Sequence, residues 1–248
     1  MRIGFVTDTH LGLQDKKGDN KIRNIYTDIL ESFEEQNIDT VVHLGDCIDE
    51  RTDTDLDNLV EFVISELNQF DNSFVAPGNH DAIGLNLSDF QPYDVETPPV
   101  ELYSSNGHSV LLLETAMDVE YKNIGCISDS SIDLVKDRLQ SGYDLTLLSH
   151  YPLDYTDIGS DVFNLIPERA FPVNKIDLRE IQNKYSGNIT RVFCGHLHPS
   201  TTTTTETSPV LESSMVVVEP ITSMSLKRGE VEVSINESIK AQDLIFDI

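Results

Sequence analysis

Short apolar runs, each passing directly into a turn bearing Gly, Asp, Asn or His, recur along this chain. Residues 3–7 lead into Asp8 and His10, residues 40–44 into Gly45-Asp46, and residues 73–76 into Pro77-Gly78-Asn79-His80-Asp81. Runs of this length, bounded by turn residues, read as buried strands rather than helices. The segments between them have helical period instead. Ile22, Ile25, Tyr26, Ile29 and Phe33 share one helical face, and Leu56, Leu59, Val60, Val63, Leu67 and Phe70 share another. Strand–helix–strand–helix–strand in this order requires right-handed crossovers and predicts a largely parallel sheet.

Further along, residues 100–103 and 109–114 predict a β-hairpin around Ser105-Asn106-Gly107. Residues 131–139 read as a helix, residues 145–149 as a strand ending at His150, and residues 175–185 as a helix. Residues 189–194 are a strand ending at Gly195-His196. Beyond them the chain is strand-like, over 201–206, 215–219 and 230–235. The run of Thr at 201–205 suits a β-branched edge strand. Neither a repeat nor a linker interrupts the pattern. The expectation is one α/β domain over residues 1–248, with two packed sheets and helices outside them.

Charge narrows the function classes. Forty-three acidic residues against 17 basic ones give a net charge of −26. Such a surface repels polyanions, which excludes a bulk basic footprint for nucleic acid or anionic lipid but not a local patch. The composition favours adaptation to high salt, where ions screen carboxylate repulsion, over an acidic mesophilic protein. Cys47, Cys126 and Cys194 cannot make a complete disulfide framework. No run is apolar for long enough to span a membrane, and Asp8 interrupts any signal-like start. A cytoplasmic protein with no membrane partner is expected.

The chemistry-bearing residues are not scattered. His10, His80, His150, His196 and His198 all follow predicted strand ends, where ligand sites of α/β sheets lie. Asp8 and His10 are two residues apart, as are His196 and His198, so on extended backbone each pair points to one side. With Asp46 and Asn79 they make a set of O and N donors able to converge on one crevice. Asp, Asn and His without Cys suit divalent Mn, Fe or Zn rather than a thiolate-rich structural site. His43, inside an apolar strand, reads as a core histidine, and His108 sits at a turn with no partner motif.

Asp8-Thr-His10, Gly45-Asp46, Gly78-Asn79-His80-Asp81, His150 and Gly195-His196-Leu-His198, in this order, resemble the motifs of the calcineurin-like metallophosphoesterases. The resemblance implies a four-layer α-β-β-α sandwich, two mixed β-sheets flanked by helices. It implies two divalent metal ions. Asp8, His10, Asp46 and His198 would hold one, and Asp46, Asn79, His150 and His196 the other, with Asp46 bridging. The implied reaction is hydrolysis of a phosphodiester or phosphomonoester by a metal-bridging hydroxide. Two ions about 3.5–4 Å apart grip a phosphoryl group and lower the pKa of a shared water. They outweigh the two ligand carboxylates, so the site is locally positive in an acidic protein. By the same resemblance His80 faces the leaving group as a proton donor or electrostatic stabiliser, and Asp49 orients it.

Within the superfamily, the serine/threonine protein phosphatases carry Gly-Asp-x-x-Asp-Arg-Gly, whereas this chain has Glu50 and Thr52 around Arg51. That departure puts a phosphoprotein substrate in doubt, unless Arg51 substitutes for the missing phosphate-gripping Arg, and a small phosphoester is the expected substrate. Asp8-Thr-His-Leu-Gly12 also resembles the opening of the double-strand-break repair nucleases, which makes a Mn-dependent DNA nuclease the alternative enzyme. Those nucleases usually carry a capping domain, for which the tail after residue 198 looks too short. A non-catalytic protein-binding scaffold of the same fold is the other alternative, and the intact ligand set argues against it.

Overall fold

The computed structural model describes residues 2–12, 21–49, 56–84, 98–117, 125–151, 153, 184–185, 187–196, 202–203, 213–216, 221–227, 230–235 and 245–247. Residues 175–183 of the helix predicted over 175–185, together with Arg51 and His198, lie outside these residues.

One sheet contains β1 (Arg2–Val6), β2 (Thr40–His43) and β3 (Asn72–Val75), all parallel, with β14 (Ile245–Asp247) antiparallel on the far edge of β1. The helices α1 (Lys21–Glu35) and α2 (Leu56–Leu67) make the crossovers. Each buries the face its periodicity selects: Ile22, Tyr26, Ile29 and Phe33 on α1, and Leu59, Val60, Val63 and Leu67 on α2. Asn37 stops α1 with a φ of 55°. Around it Ile38 N–H donates to Phe33 O at 3.0 Å and Asn37 N–H to Glu34 O at 2.9 Å. This paired C-terminal cap satisfies carbonyls that the helix leaves open, and it brings Ile38 and Phe33 into the same core.

The second sheet runs in the order β10 (Thr202–Thr203), β11 (Ser213–Val216), β9 (Ile189–Cys194), β8 (Asp144–Ser149), β5 (His108–Leu112), β4 (Val100–Ser105). Its interior pairs are parallel, and both edge pairs are antiparallel. Side chains alternate as a period of two requires. Val110, Leu112, Leu148 and Phe193 join the core shared with β1 and β2, and Leu111, Leu113, Leu145, Leu147 and Val192 turn to the other face. Val135 and Leu139 of α4 (Asp129–Gln140) cover that outer face. Phe5 and Phe193 meet across the two sheets with ring centroids 5.0 Å apart. The layer order is therefore helix, sheet, sheet, helix, as the family resemblance implies.

Five elements were not apparent in the sequence pattern: β6 (Thr115–Met117) and β7 (Gly125–Ile127), which pair as a hairpin, β12 (Ile221–Lys227), which pairs with β13 (Glu230–Ile235), the edge strand β14, and α3 (Asn79–Gly84). The last corrects the expectation of a plain loop at His80. Asp46 Oδ1 accepts the His80 N–H at 2.8 Å, so a side chain from the neighbouring loop completes the first turn. Cys47, Cys126 and Cys194 are free thiols. Among the described residues no helix is long and apolar enough to cross a membrane.

Candidate metal centre

Five strand ends meet at one seam between the sheets. Asp8 and His10 follow β1, Asp46 and Asp49 follow β2, and Asn79 and His80 begin α3 after β3. His150 follows β8 and His196 follows β9 in the opposite sheet. The first two loops continue to pair after their strands end. Asp8 N–H donates to Gly45 O, His10 N–H to Asp46 O and Leu11 N–H to Cys47 O, each at 2.9 Å.

Two contacts then stitch the sheets together. His150 Nδ1 lies 2.7 Å from Leu44 O, and His196 N–H donates to the Asp8 carboxylate, at 3.0 Å to Oδ2. The first fixes the His150 tautomer, because a carbonyl can only accept. Nδ1 must carry the proton, and Nε2 is left facing Asp46 Oδ2 at 3.5 Å and Asn79 Oδ1 at 3.3 Å. A histidine that donates one ring N–H to a carbonyl while presenting the other nitrogen to carboxylate and amide oxygens has the arrangement of a metal ligand. In His10 both ring nitrogens face carboxylates instead: Nδ1 is 3.4 Å from Asp49 Oδ2, and Nε2 is 3.6 Å from Asp46 Oδ2 and 3.9 Å from Asp8 Oδ1.

The backbone is bent to make this possible. Asp8, His10, Asp46 and His196 have φ of 51°, 43°, 50° and 70°. Left-handed backbone costs a non-glycine residue roughly 1–2 kcal/mol, and Asp, Asn and His tolerate it best. Four such residues at one seam concentrate strained backbone at the candidate ligands, as functional sites commonly do. Gly45 has a φ of 96°, and a Cβ there would lie 2.6 Å from His150 Nδ1. A Cβ on Gly78 would run into Asp46 Oδ1. Gly45 lets the second loop approach the His150 ring and the third loop, and Gly78 lets backbone approach the Asp46 carboxylate.

Asp46 is the centre of the arrangement. His10, Asp46 and His80 form one group of donor atoms within 4.8 Å of one another, and Asp46, His150 and His196 form a second. Among the described residues, Asp46 pairs with histidines and with no Lys or Arg, although it is only 1% exposed. Burial alone would raise its pKa, but the charge and hydrogen bond of His150, with His10 and His80, hold it well below the usual carboxylate range. Burial pulls the other way on His150, where the charge and hydrogen bond of Asp46 prevail and push the ring up to about 9. A buried anion gathered with imidazoles, carboxylates and an amide, with no thiolate among them, suits a divalent cation.

The predicted residues Asp8, His10, Asp46, Asn79, His150 and His196 thus come together, while His198 lies outside the described residues. His80 and Asp49 are here too. Asp49 is fully buried between two rings, 3.8 Å from His80 Nδ1 and closer to His10. The expected orienter of His80 therefore also backs a candidate ligand. The proximity of His80 to His10 and Asp46, with ring centroids of the two histidines 4.6 Å apart, does not by geometry separate it from the ligands.

Two neighbours were not singled out by the sequence reading. Asp81 is buried and accepts N–H groups from Gly78, Ile48 and Cys47 at 2.9, 3.0 and 3.2 Å, tying the second loop to the third. Burial and the adjacent Asp46 charge push it up to about 6. The Tyr151 ring packs tilted against His196, with centroids 4.2 Å apart, and burial followed by the Asp46 and Asp8 charges raises its phenol. Their signals were a buried acid two residues after Asn79 and an aromatic directly after His150.

The description calcineurin-like phosphoesterase matches residues 1–200. A comparison with curated proteins gives no match. Among solved structures, the chain is similar to a dimetal phosphatase from Danio rerio, with a TM-score of 0.61 and 13% identity, over 88% of this chain and 87% of that one. It is also similar to a purple acid phosphatase from yellow lupin (Lupinus luteus) seeds, with a TM-score of 0.47 and 18% identity, over 79% of this chain and 38% of that one. With its motifs in order, its strand-end donors gathered on one carboxylate and the family match extending over most of its length, the chain belongs to the calcineurin-like phosphoesterases.

Proposed function

We propose that the chain is a dinuclear metal-dependent hydrolase of a small phosphoester, monoester or diester. The observation that carries this reading is Asp46, one buried carboxylate common to both donor groups. Asp8 and His10 would hold one ion with Asp46 and His198, and Asn79, His150 and His196 the other. Divalent ions so held, Mn, Fe or Zn, supply positive charge for phosphoryl oxygens and a more acidic water at neutral pH.

The protein's own residues do the rest. Leu44 O and Asp49 orient the rings of His150 and His10, and the His196 N–H holds the Asp8 carboxylate. His80, 16% exposed where His10 and His150 are fully buried, lies on the accessible side, where it can give a proton to a departing oxygen. A local positive site within an acidic surface favours a compact phosphoester over a long nucleic acid, whose further phosphates would meet that surface.

Metal analysis after purification and reconstitution tests this. Wild-type protein should approach two equivalents of Mn²⁺ and hydrolyse members of a phosphoester panel. Asp46→Asn should weaken both sites together, because it removes the shared charge. Uptake no greater than a trace of Mn, Fe or Zn would rule the reading out. Hydrolysis confined to single-stranded or plasmid DNA would replace the small phosphoester with a nuclease substrate.

A further inference from the structure

His43 is the last residue of β2 and is fully buried. Both of its ring nitrogens are engaged. The Gly45 N–H donates to Nδ1 at 3.2 Å, so Nδ1 is an acceptor and the ring proton belongs on Nε2. The Cys47 thiol also lies 3.2 Å from Nδ1. Nε2 is 3.1 Å from Thr9 Oγ1, and the Thr9 hydroxyl donates to Cys47 O at 2.9 Å. Every proton in this chain of bonds has one direction: His43 Nε2–H to Thr9 Oγ1, and Thr9 Oγ1–H to Cys47 O. Burial, reinforced by His150, pushes His43 down to about 3, so the ring stays neutral and Nδ1 remains an acceptor.

The two residues joined by this relay occupy telling positions. Thr9 lies between Asp8 and His10, both with left-handed backbone. Cys47 directly follows Asp46, which is also left-handed. Backbone hydrogen bonds set the course of the two loops, but a strained segment can relax around its middle residue unless that residue is anchored. Thr9 is anchored by two hydrogen bonds, and His43 supplies one of them.

We propose that His43 is a positioning residue of the metal centre: as a neutral Nε2–H imidazole it fixes Thr9 against Cys47 and thereby sets the separation of Asp8 and His10 from Asp46. The inference rests on the metal reading above and adds a residue that, among the described residues, makes no hydrogen bond to a candidate ligand side chain.

The test combines two variants with one measurement on unaltered protein. Thr9→Val keeps the shape and removes the hydroxyl. His43→Asn keeps an acceptor near the Nδ1 position and removes the donor toward Thr9. Mn²⁺ binding to metal-stripped protein, followed by electron paramagnetic resonance, should weaken on the order of 10–100-fold in each variant, the range for groups that orient metal ligands. The double variant should bind no worse than the weaker single one, because both break one relay. Melting in chelator reports fold stability separately. A merely structural role would lower that melting temperature and leave Mn²⁺ affinity of the folded protein unchanged.

Losses that multiply in the double variant, or wild-type affinity in Thr9→Val, overturn the proposal. If a variant does not fold, long-range ¹H–¹⁵N spectra of wild-type histidines decide, since an Nδ1–H or doubly protonated His43 contradicts the relay and an Nε2–H ring upholds it. Wild-type protein that binds no Mn²⁺ would remove the metal reading and this inference with it. Two equivalents in wild type and unaltered binding in both variants would remove the His43 inference alone.

Discussion

His80 is 16% exposed, against none for His10 and His150, and among the described site histidines only His196 is partly exposed as well. A group that protonates a leaving oxygen matters most when that oxygen leaves poorly. His80→Ala should therefore retain both metals and most of its substrate affinity, and lose on the order of 10²–10⁴-fold in kcat for an alkyl or nucleoside ester. The loss should be smaller for a nitrophenyl ester, whose oxygen leaves without a proton. Equal losses for both esters would reject the acid role, and loss of metal would make His80 a ligand, as its distance to Asp46 and His10 allows. Much of this site was legible in the sequence because Asp8, His10, Asp46, Asn79, His150 and His196 each sit at a strand end, a local signal. The supports were not. His150 meets Leu44 O across 106 residues of chain, and Asp81 reaches Cys47 across 34. Partners set by tertiary packing leave no periodicity to read, so Asp81, Tyr151 and the work of His43 emerge only from the fold.

Element pairing is held in part by a charged clamp away from the metal centre. Arg138, in the last turn of α4, donates from Nε and Nη2 to the two carboxylate oxygens of Glu101 on β4 at 2.9 and 2.7 Å, and Ser109 on β5 donates to Glu101 at 2.7 Å. Burial alone would raise the Glu101 pKa, but the hydrogen bonds of Arg138 and Ser109 and the Arg138 charge lower it. A carboxylate depressed in the folded state contributes stability above its ordinary pKa, and that contribution disappears as pH falls through the folded value. Arg138→Gln should thus destabilise the protein by on the order of 1 kcal/mol at neutral pH, given the partial exposure of the pair. The gap from wild type should close in acid, read by urea unfolding from pH 7 to pH 3, while Mn²⁺ uptake stays unchanged. A gap that is constant with pH would assign the effect to packing of the Arg138 stem. At this scale, long periodic elements such as α1, α2 and β9 were legible, whereas β6, β7 and β14, of three residues each, are too short to display an alternation. The helix α3 was hidden for another reason: its first turn is completed by Asp46 from a different loop.

For the molecule as a whole, the net charge of −26 and the site place opposite demands on salt. Asp8, Asp46, Asp49 and Asp81 are buried and face histidines or backbone N–H groups, so bulk ions screen them little. The other acidic residues of the chain still outnumber its basic ones, and the two-sheet core must hold together against their mutual repulsion. Simple screening of that repulsion is largely complete once the Debye length has fallen to about 8–10 Å, near 0.1–0.15 M salt. A chain adapted to a saline interior should continue to gain stability well past that point, as cations accumulate against a dense carboxylate surface. Melting temperature, followed in chelator to remove any contribution from bound divalent metal, should therefore rise steeply from low salt to molar KCl. A rise that ends near 0.15 M would mark ordinary screening in an acidic mesophilic protein, and a flat profile would show that the surface charges are spaced too widely to matter. Because the candidate ligand carboxylates are shielded from bulk ions, the Mn²⁺ stoichiometry of the folded protein should be the same at both ends of the KCl range, even where its melting temperature is not.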